Sequence, residues 1–285
     1  MSVHSTLSFD DPVQRTIYEY VERHGAVTPD ELARSIRVET GRCHSKPARS
    51  ATYTEEKPLS PDELRSCIEE LKERGDLVET NGKLRIAVAG SPTELELDEG
   101  TVTVRPAREE DRPGVVETMR TVATDGTYIV AENVAAQLER ESALIRANDE
   151  RSRMFFVAAF EPDEEGEEKG DADSETGADA TDAADIVGWL HVNAPELPSL
   201  RHTAEVTVGV RPDVRRNEIG STLLEDGLEW ADDAGYRKIY QNIPATNEEA
   251  IAFLEANGWD REGRREEQYL IDEEFVDEVL LATWP

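Results

Sequence analysis

The run Ala204-Glu205-Val206-Thr207-Val208-Gly209-Val210-Arg211-Pro212-Asp213-Val214-Arg215-Arg216-Asn217-Glu218-Ile219-Gly220-Ser221 decides how the second half of this chain folds. Its first seven residues alternate as a buried strand does, and Arg211-Pro212 stops the strand because proline has no N–H to give a sheet. A short turn rich in arginine follows. After Gly220 comes a long amphipathic helix with Leu223, Leu224, Leu228 and Ala231 on one face and Trp230 beside them, ending at Gly235. A second strand is expected over 238–243. Asn247 then opens a last helix carrying Ala250, Ile251, Phe253 and Leu254, closed by Asn257-Gly258.

A strand that turns through two arginines and a glycine into a helix start is suited to an anion. The first backbone N–H groups of a helix have no internal partner and point at whatever precedes them. Arg215 and Arg216 supply cations, and Gly220 allows the backbone a close approach.

Here the sequence resembles the GNAT superfamily of acyl-CoA-dependent N-acetyltransferases. The family's strand ends in V-x-P, and R/Q-x-x-G-x-G/A opens the helix; this chain has Val210-Arg211-Pro212 and Arg215-Arg216-Asn217-Glu218-Ile219-Gly220. The family's downstream N-x-x-A-x-x-F-Y-x-x-x-G-F is matched in register by Asn247, Ala250, Phe253, Leu254, Gly258 and Trp259. The closing Tyr269-Leu270-Ile271-Asp272 and Phe275 to Leu280 look like the family's final hairpin. Two positions depart from the pattern. Glu218 stands for the first motif glycine, where a carboxylate is unfavourable beside a pyrophosphate. Leu254 stands for the tyrosine that often protonates the departing thiolate.

The resemblance covers about residues 101–285. It implies an α/β (α+β) fold with a mixed, mostly antiparallel sheet and a splayed central strand. It also implies acetyl-CoA as cosubstrate, with no metal. Arg215, Arg216, Asn217, Glu218, Ile219, Gly220 and Ser221 are then expected around the pyrophosphate. Val208 and Val210 would offer backbone groups to the pantetheine arm. Asn247 is expected either on CoA or as a helix cap. Glu205, on the strand lining the family's acceptor cleft, is the candidate general base for a primary amine. Tyr128 and Tyr269, with Tyr240 beside them, are the candidate replacements for the missing acid, and His202 is a second candidate base. No cysteine lies in 101–285, so transfer is expected to be direct.

The first 90 residues read differently. Thr28-Pro29-Asp30-Glu31-Leu32 and Ser60-Pro61-Asp62-Glu63-Leu64 are one helix-start device used twice: a hydroxyl cap, proline at the first helical position and glutamate three residues after the cap. An earlier helix over 10–22 has Val13, Ile17 and Val21 at helical spacing. Asn81-Gly82 between two short alternating runs signals a hairpin. Three helices and a hairpin resemble a winged helix-turn-helix over about residues 8–90. A long insert at 37–57, holding Arg37, Arg42, His44, Lys46 and Arg49, departs from it. The third helix carries Asp62, Glu63, Glu69, Glu70 and Glu73 against Arg65, Lys72 and Arg74, and phosphates repel such a surface. DNA binding is therefore not favoured over protein contact, and a homodimer is left open. Cys43, His44 and Cys67 match no metal-ligand spacing.

The domain division expected is 1–90, a linker over 91–100 that reads equally as a leading hairpin strand, and 101–285. In the last, 161–185 is expected as a disordered acidic loop, with 12 acids and no aromatic residue. Helices are expected over 109–123 and 133–145, and strands over 101–105, 154–160 and 186–192.

The chain of 285 residues has 63 acidic and 31 basic side chains, a net charge of −32, and only 6 lysines among its bases. Acid excess, arginine in place of lysine and 38% hydrophobic residues fit adaptation to high salt, where the Debye length falls to about 3 Å. No apolar run approaches the ~18 residues of a membrane span, and the start MSVHSTLSFDD lacks the regions of a signal peptide. A cytoplasmic protein is expected. The alternative to the enzyme is a non-catalytic regulator that senses acetyl-CoA and carries a DNA- or protein-binding helical module.

Overall fold

The computed structural model describes residues 9, 11–39, 56–80, 82–88, 91–124, 129–140, 143–147, 152–163, 184–195 and 197–285. Tyr128, most of the basic insert and most of the acidic loop lie outside the described residues. The chain divides into two compact units, Leu7–Val88 and Ala89–Pro285.

In the first unit, α1 (Pro12–His24), α2 (Pro29–Ser35) and α3 (Pro61–Glu73) are followed by a hairpin. Short strands β1 (Arg37–Glu39) and β2 (Glu56–Pro58) pair at the two ends of the insert, and β3 (Leu77–Thr80) and β4 (Lys83–Ile86) form the hairpin. The repeated helix start works identically at α2 and α3. Thr28 and Ser60 each accept the N–H of Glu31 or Glu63 through their hydroxyls, at 3.2 and 3.3 Å. The two glutamates accept the cap N–H groups in return, at 2.7 and 3.2 Å. Ile17, Val21, Leu32, Ile68 and Leu71 close the core with Leu84 of the hairpin, and Val27 bridges to Leu84.

The second unit is built on a nine-stranded sheet. It begins with β5 (Thr93–Leu97) and β6 (Gly100–Pro106), then α4 (Arg112–Thr124), α5 (Ile129–Leu138), β7 (Arg146–Ala147), β8 (Ser152–Pro162) and β9 (Asp185–Asn193). It continues with β10 (Thr203–Val210), α6 (Ile219–Asp233), β11 (Lys238–Pro244), α7 (Glu248–Ala256), β12 (Asp260–Ile271) and β13 (Glu274–Thr283). The strand order is β12-β13-β11-β10-β9-β8-β6-β5, with β7 on β8. Every pair is antiparallel except β10 with β11.

Strand alternation assigns the two faces. Phe155, Val157 and Trp189 face α4 and α5, where Val115, Met119, Val122 and Leu138 join them in the core. Their neighbours along the strands face α6. A Cβ added to Gly227 of α6 would fall 2.6 Å from Leu190, so glycine lets the helix lie directly on β9.

Three expectations are corrected. Residues 91–100 do not form a linker, because Thr93–Leu97 is an edge strand with Thr93, Leu95 and Leu97 half-buried and Glu94 and Glu96 exposed. The helix expected over 133–145 runs instead over Ile129–Leu138. Beyond it, Arg153 of β8 takes the carbonyls of Ala143 and Leu144 at 2.6 and 2.9 Å and ties that stretch to the sheet. The closing hairpin starts nine residues before Tyr269, at Asp260. The outer edge of β12 is so charged that no alternation of apolar residues betrays it.

Candidate active site

Three consecutive pairs join β10 to β11: Thr203 with Lys238, Ala204 with Ile239, and Glu205 with Tyr240. Beyond them the strands part. Val206 to Val210 continue to pair with β9, and Gln241 to Pro244 continue to pair with β13. The facing backbone edges of β10 and β11 thus leave a seam in the middle of the sheet. Gln241 sits immediately past the last pair, 9% exposed, and its Oε1 has no hydrogen-bond partner. A buried acceptor without a donor is costly, so the seam suits a ligand that brings an N–H.

The N-terminus of α6 follows the open end of β10. Its first helical bond runs from Thr222 N–H to the Glu218 carbonyl, 3.0 Å. No side chain caps the helix, so the N–H groups of Ile219, Gly220 and Ser221 carry the positive end of the dipole uncovered. Glu218 reaches this position in the left-handed region, φ 63°, as does Arg216 at φ 70°. Glycine takes that conformation without steric cost, whereas glutamate does not. Gly220 is small for a packing reason: a Cβ there would stand 3.1 Å from the Phe253 ring of α7.

The side chains around this terminus are already engaged. Arg215 donates its Nε to the Val210 carbonyl at 3.0 Å, closing the turn onto the strand. Arg215 Nη1 lies 3.5 Å and Arg216 Nη2 2.9 Å from the carboxylate of Glu249 in the first turn of α7. Asn217 Nδ2 donates to the Val214 carbonyl. Ile219 is buried in the core, so only its backbone faces the terminus. Val208 and Val210 point to the α6 face by strand alternation. Asn247 is buried and caps α7, its Oδ1 accepting the Ala250 N–H at 3.1 Å.

Glu205 lies on the opposite face of β10 from Val208 and Val210. It is half-buried, with Asn193 of β9 on one side and Tyr240 on the other. Burial raises its carboxyl above the ordinary range, and the carboxylate of Glu278 raises it further. Burial, then Glu205, pushes the Tyr240 phenol up. Tyr269 donates its hydroxyl to Glu278 Oε1 at 2.6 Å; burial and this bond hold its phenol well above the usual value. His202 is exposed, and Leu254 is a core residue, 1% exposed.

Glu205, Tyr240 and Tyr269 therefore come together, and Arg215, Arg216 and Asn217 gather at the α6 terminus. Glu278 and Arg265 belong to the first group and escaped the sequence reading. The signal was available: Glu278 follows Val276 at strand period, an acid at an inward position. Among the described residues no helix is long and apolar enough to cross a membrane, and no group of three or more His, Cys, Asp or Glu is placed to hold a metal.

No curated protein matches the chain. Similar solved structures include a GNAT-family acetyltransferase from Streptococcus pneumoniae, 19% identical over 65% of this chain and 99% of that one, TM-score 0.46. A GCN5-related N-acetyltransferase from Kribbella flavida is 21% identical over 65% and 98%, TM-score 0.48. A GNAT-superfamily phosphinothricin acetyltransferase from Sinorhizobium meliloti, solved with acetyl-CoA, is 17% identical over 64% and 88%, TM-score 0.46. Residues 142–259, which span β8 to the end of α7 and hold the seam, the α6 terminus and Glu205, match the model of the acetyltransferase (GNAT) family.

Proposed function

We propose that the unit of residues 89–285 is an N-acetyltransferase that moves an acetyl group from acetyl-CoA to a primary amine by direct transfer. The observation that carries this reading is the parting of β10 from β11 after Glu205 and Tyr240, beside a helix terminus without a cap. The chemistry of the residues fits the cosubstrate. A pyrophosphate suits the free N–H groups of Ile219, Gly220 and Ser221 with the guanidinium of Arg216. The pantetheine amides suit an opened strand edge at Val208 and the Gln241 acceptor. Val210 offers less, because Arg215 holds its carbonyl. Glu218 and Glu249 oppose the phosphates, and an acidic chain in molar salt tolerates this better than one in dilute buffer.

On the other face, Glu205 takes a proton from the acceptor ammonium so that the free amine attacks the thioester carbonyl. The nitrogen–carbon bond forms, the carbon–sulfur bond breaks, the thiolate leaves with the electron pair, and the nitrogen sheds its second proton, which replaces the one the thiolate receives. Tyr240, protonated and adjacent to the seam, is better placed to return a proton than Tyr269, whose hydroxyl is committed to Glu278. Tyr128 is a further candidate outside the described residues.

The first unit is read as a winged-helix-like module that contacts protein. Its basic side chains on α3 are spent locally: Arg65 pairs with Asp62 at 3.1 Å and Lys72 with Glu79 at 2.6 Å. The deciding experiment is calorimetric titration of acetyl-CoA in molar KCl, with Arg216→Ala beside the wild type. Micromolar binding that the variant loses supports the cosubstrate site and leads to an amine screen. No binding at any salt overturns both the enzyme and the acetyl-CoA sensor.

A further inference from the structure

One side chain of β11 breaks the row it sits in. Ile239, Gln241 and Ile243 alternate onto one face of the strand, opposite to that of Tyr240, and all three are buried. Because Tyr240 pairs with Glu205, this is the α6 face, to which Val208 and Val210 also point. Leu281 of β13 stands opposite Gln241, and Val206 of β10 stands across the seam, one step beyond the last pair. Ile239, Ile243, Leu281 and Val206 are at most 2% exposed. In this aliphatic setting the Gln241 carboxamide is 9% exposed, and its Oε1 has no hydrogen-bond partner among the described residues. Such an oxygen destabilises the folded chain, which an aliphatic side chain here would not do. The orphaned acceptor falls at the first position where β11 loses its β10 partner, beside an open strand edge.

We propose that Gln241 is the donor-selecting residue of this site: its Oε1 accepts the N–H of the amide nearest the thiol end of the acyl donor, and so holds the thioester at the closed end of the seam. This rests on the reading of the seam as the acetyl-CoA site. The length of β10 picks out that amide rather than the more distant one. From Val210, beside the α6 terminus, back to Val206 is four residues, about 13 Å of extended strand. A pantetheine arm that starts from a phosphate at the terminus and runs along β10 reaches the level of Gln241 only with its thiol end. Selection follows from the apolar surroundings. A donor with that N–H satisfies the oxygen, whereas a donor without it leaves the oxygen stranded and shut off from water. Gln241 holds the donor without touching the reacting carbonyl, so it is a positioning residue, and its instability in the empty chain is the sign of that role.

The test uses the full chain in molar KCl with Gln241→Leu, which removes the acceptor and keeps a similar volume. Gln241→Met takes its place should the leucine variant fail to fold. Without ligand, the variant is expected to melt higher than the wild type, because the orphaned oxygen is gone. Calorimetry is expected to show acetyl-CoA bound about 5- to 100-fold more weakly. ADP, which has the pyrophosphate without the arm, is expected to bind both proteins equally. In kcat/KM the wild type is expected to favour S-acetyl-N-acetylcysteamine, which carries the amide, over S-pentyl thioacetate, which does not, and the variant is expected to lose that preference. Unchanged acetyl-CoA affinity in the variant overturns this proposal alone. So does a variant that melts lower and loses acetyl-CoA and ADP alike, since that is a packing role. A wild type that binds no acetyl-CoA overturns the cosubstrate reading, and this proposal with it.

Discussion

Glu205 and Tyr240 are the last residues at which the two parallel strands of the sheet are still paired. Everything the seam offers begins at this pair. Glu205→Gln is expected to cut kcat by about 10²–10⁴-fold, the usual contribution of a general base, and to leave the acetyl-CoA affinity unchanged. Loss of affinity in the same measure as kcat refutes the role.

The same substitution has a stability signature. Glu205 has a raised pKa in the folded state, so the folded chain binds its proton more tightly than the unfolded chain. Stability from this group is present at low pH and is lost as pH rises through the unfolded and then the folded value. Glu205→Gln should therefore raise Tm more at pH 8 than at pH 4, measured in one constant high salt.

Arg215 and Arg216 meet the carboxylate of Glu249 at 3.5 and 2.9 Å. A phosphate must displace that carboxylate. Exposed pairs of this kind are worth about 0.2–1 kcal/mol. Glu249→Gln should then tighten acetyl-CoA binding by up to about fivefold. Calorimetry in molar KCl checks it, and weaker binding contradicts the geometry.

Glu218 stands at φ 63° with no capping bond to offset the strain. Glycine avoids the left-handed penalty of about 1–2 kcal/mol, less the entropy it adds to the unfolded chain. Glu218→Gly is expected to stabilise by about 1 kcal/mol and to improve acetyl-CoA binding, read from the urea midpoint and from titration. A destabilised variant would mean that the glutamate side chain supports the turn.

Gly209 lies under the Trp189 ring, where an added Cβ would fall 2.2 Å from the indole. Gly209→Ala must displace the ring or bend β10 just beside the seam. It is expected to cost about 1–3 kcal/mol and to weaken acetyl-CoA binding, whereas Gly263→Ala, in open space on β12, is expected to change neither.

Local rules made much of this molecule legible from sequence. The two Pro-Asp-Glu helix starts, the strand-turn-helix of 203–233 and the cap at Asn247 each depend on neighbours within a few residues, and the spacing of apolar side chains records them. Where a distant group decides, the pattern misleads. The helix expected over 133–145 ends at Leu138, and Arg153, on a strand, holds the carbonyls of Ala143 and Leu144 beyond it. The strand Asp260–Ile271 is invisible because its edge position leaves it charged.

The candidate site divides along the same line. Sequence alone determined the arginine turn, the helix terminus behind it and the carboxylate at 205, since these follow one another in the chain. The tertiary structure decided that β10 and β11 part after Glu205, that Glu249 answers Arg215 and Arg216, and that Tyr269, Arg265 and Glu278 converge on Glu205's face. Those relationships join residues 33 to 73 positions apart in the chain, and only the register of four strands and the placing of α7 bring them to one region.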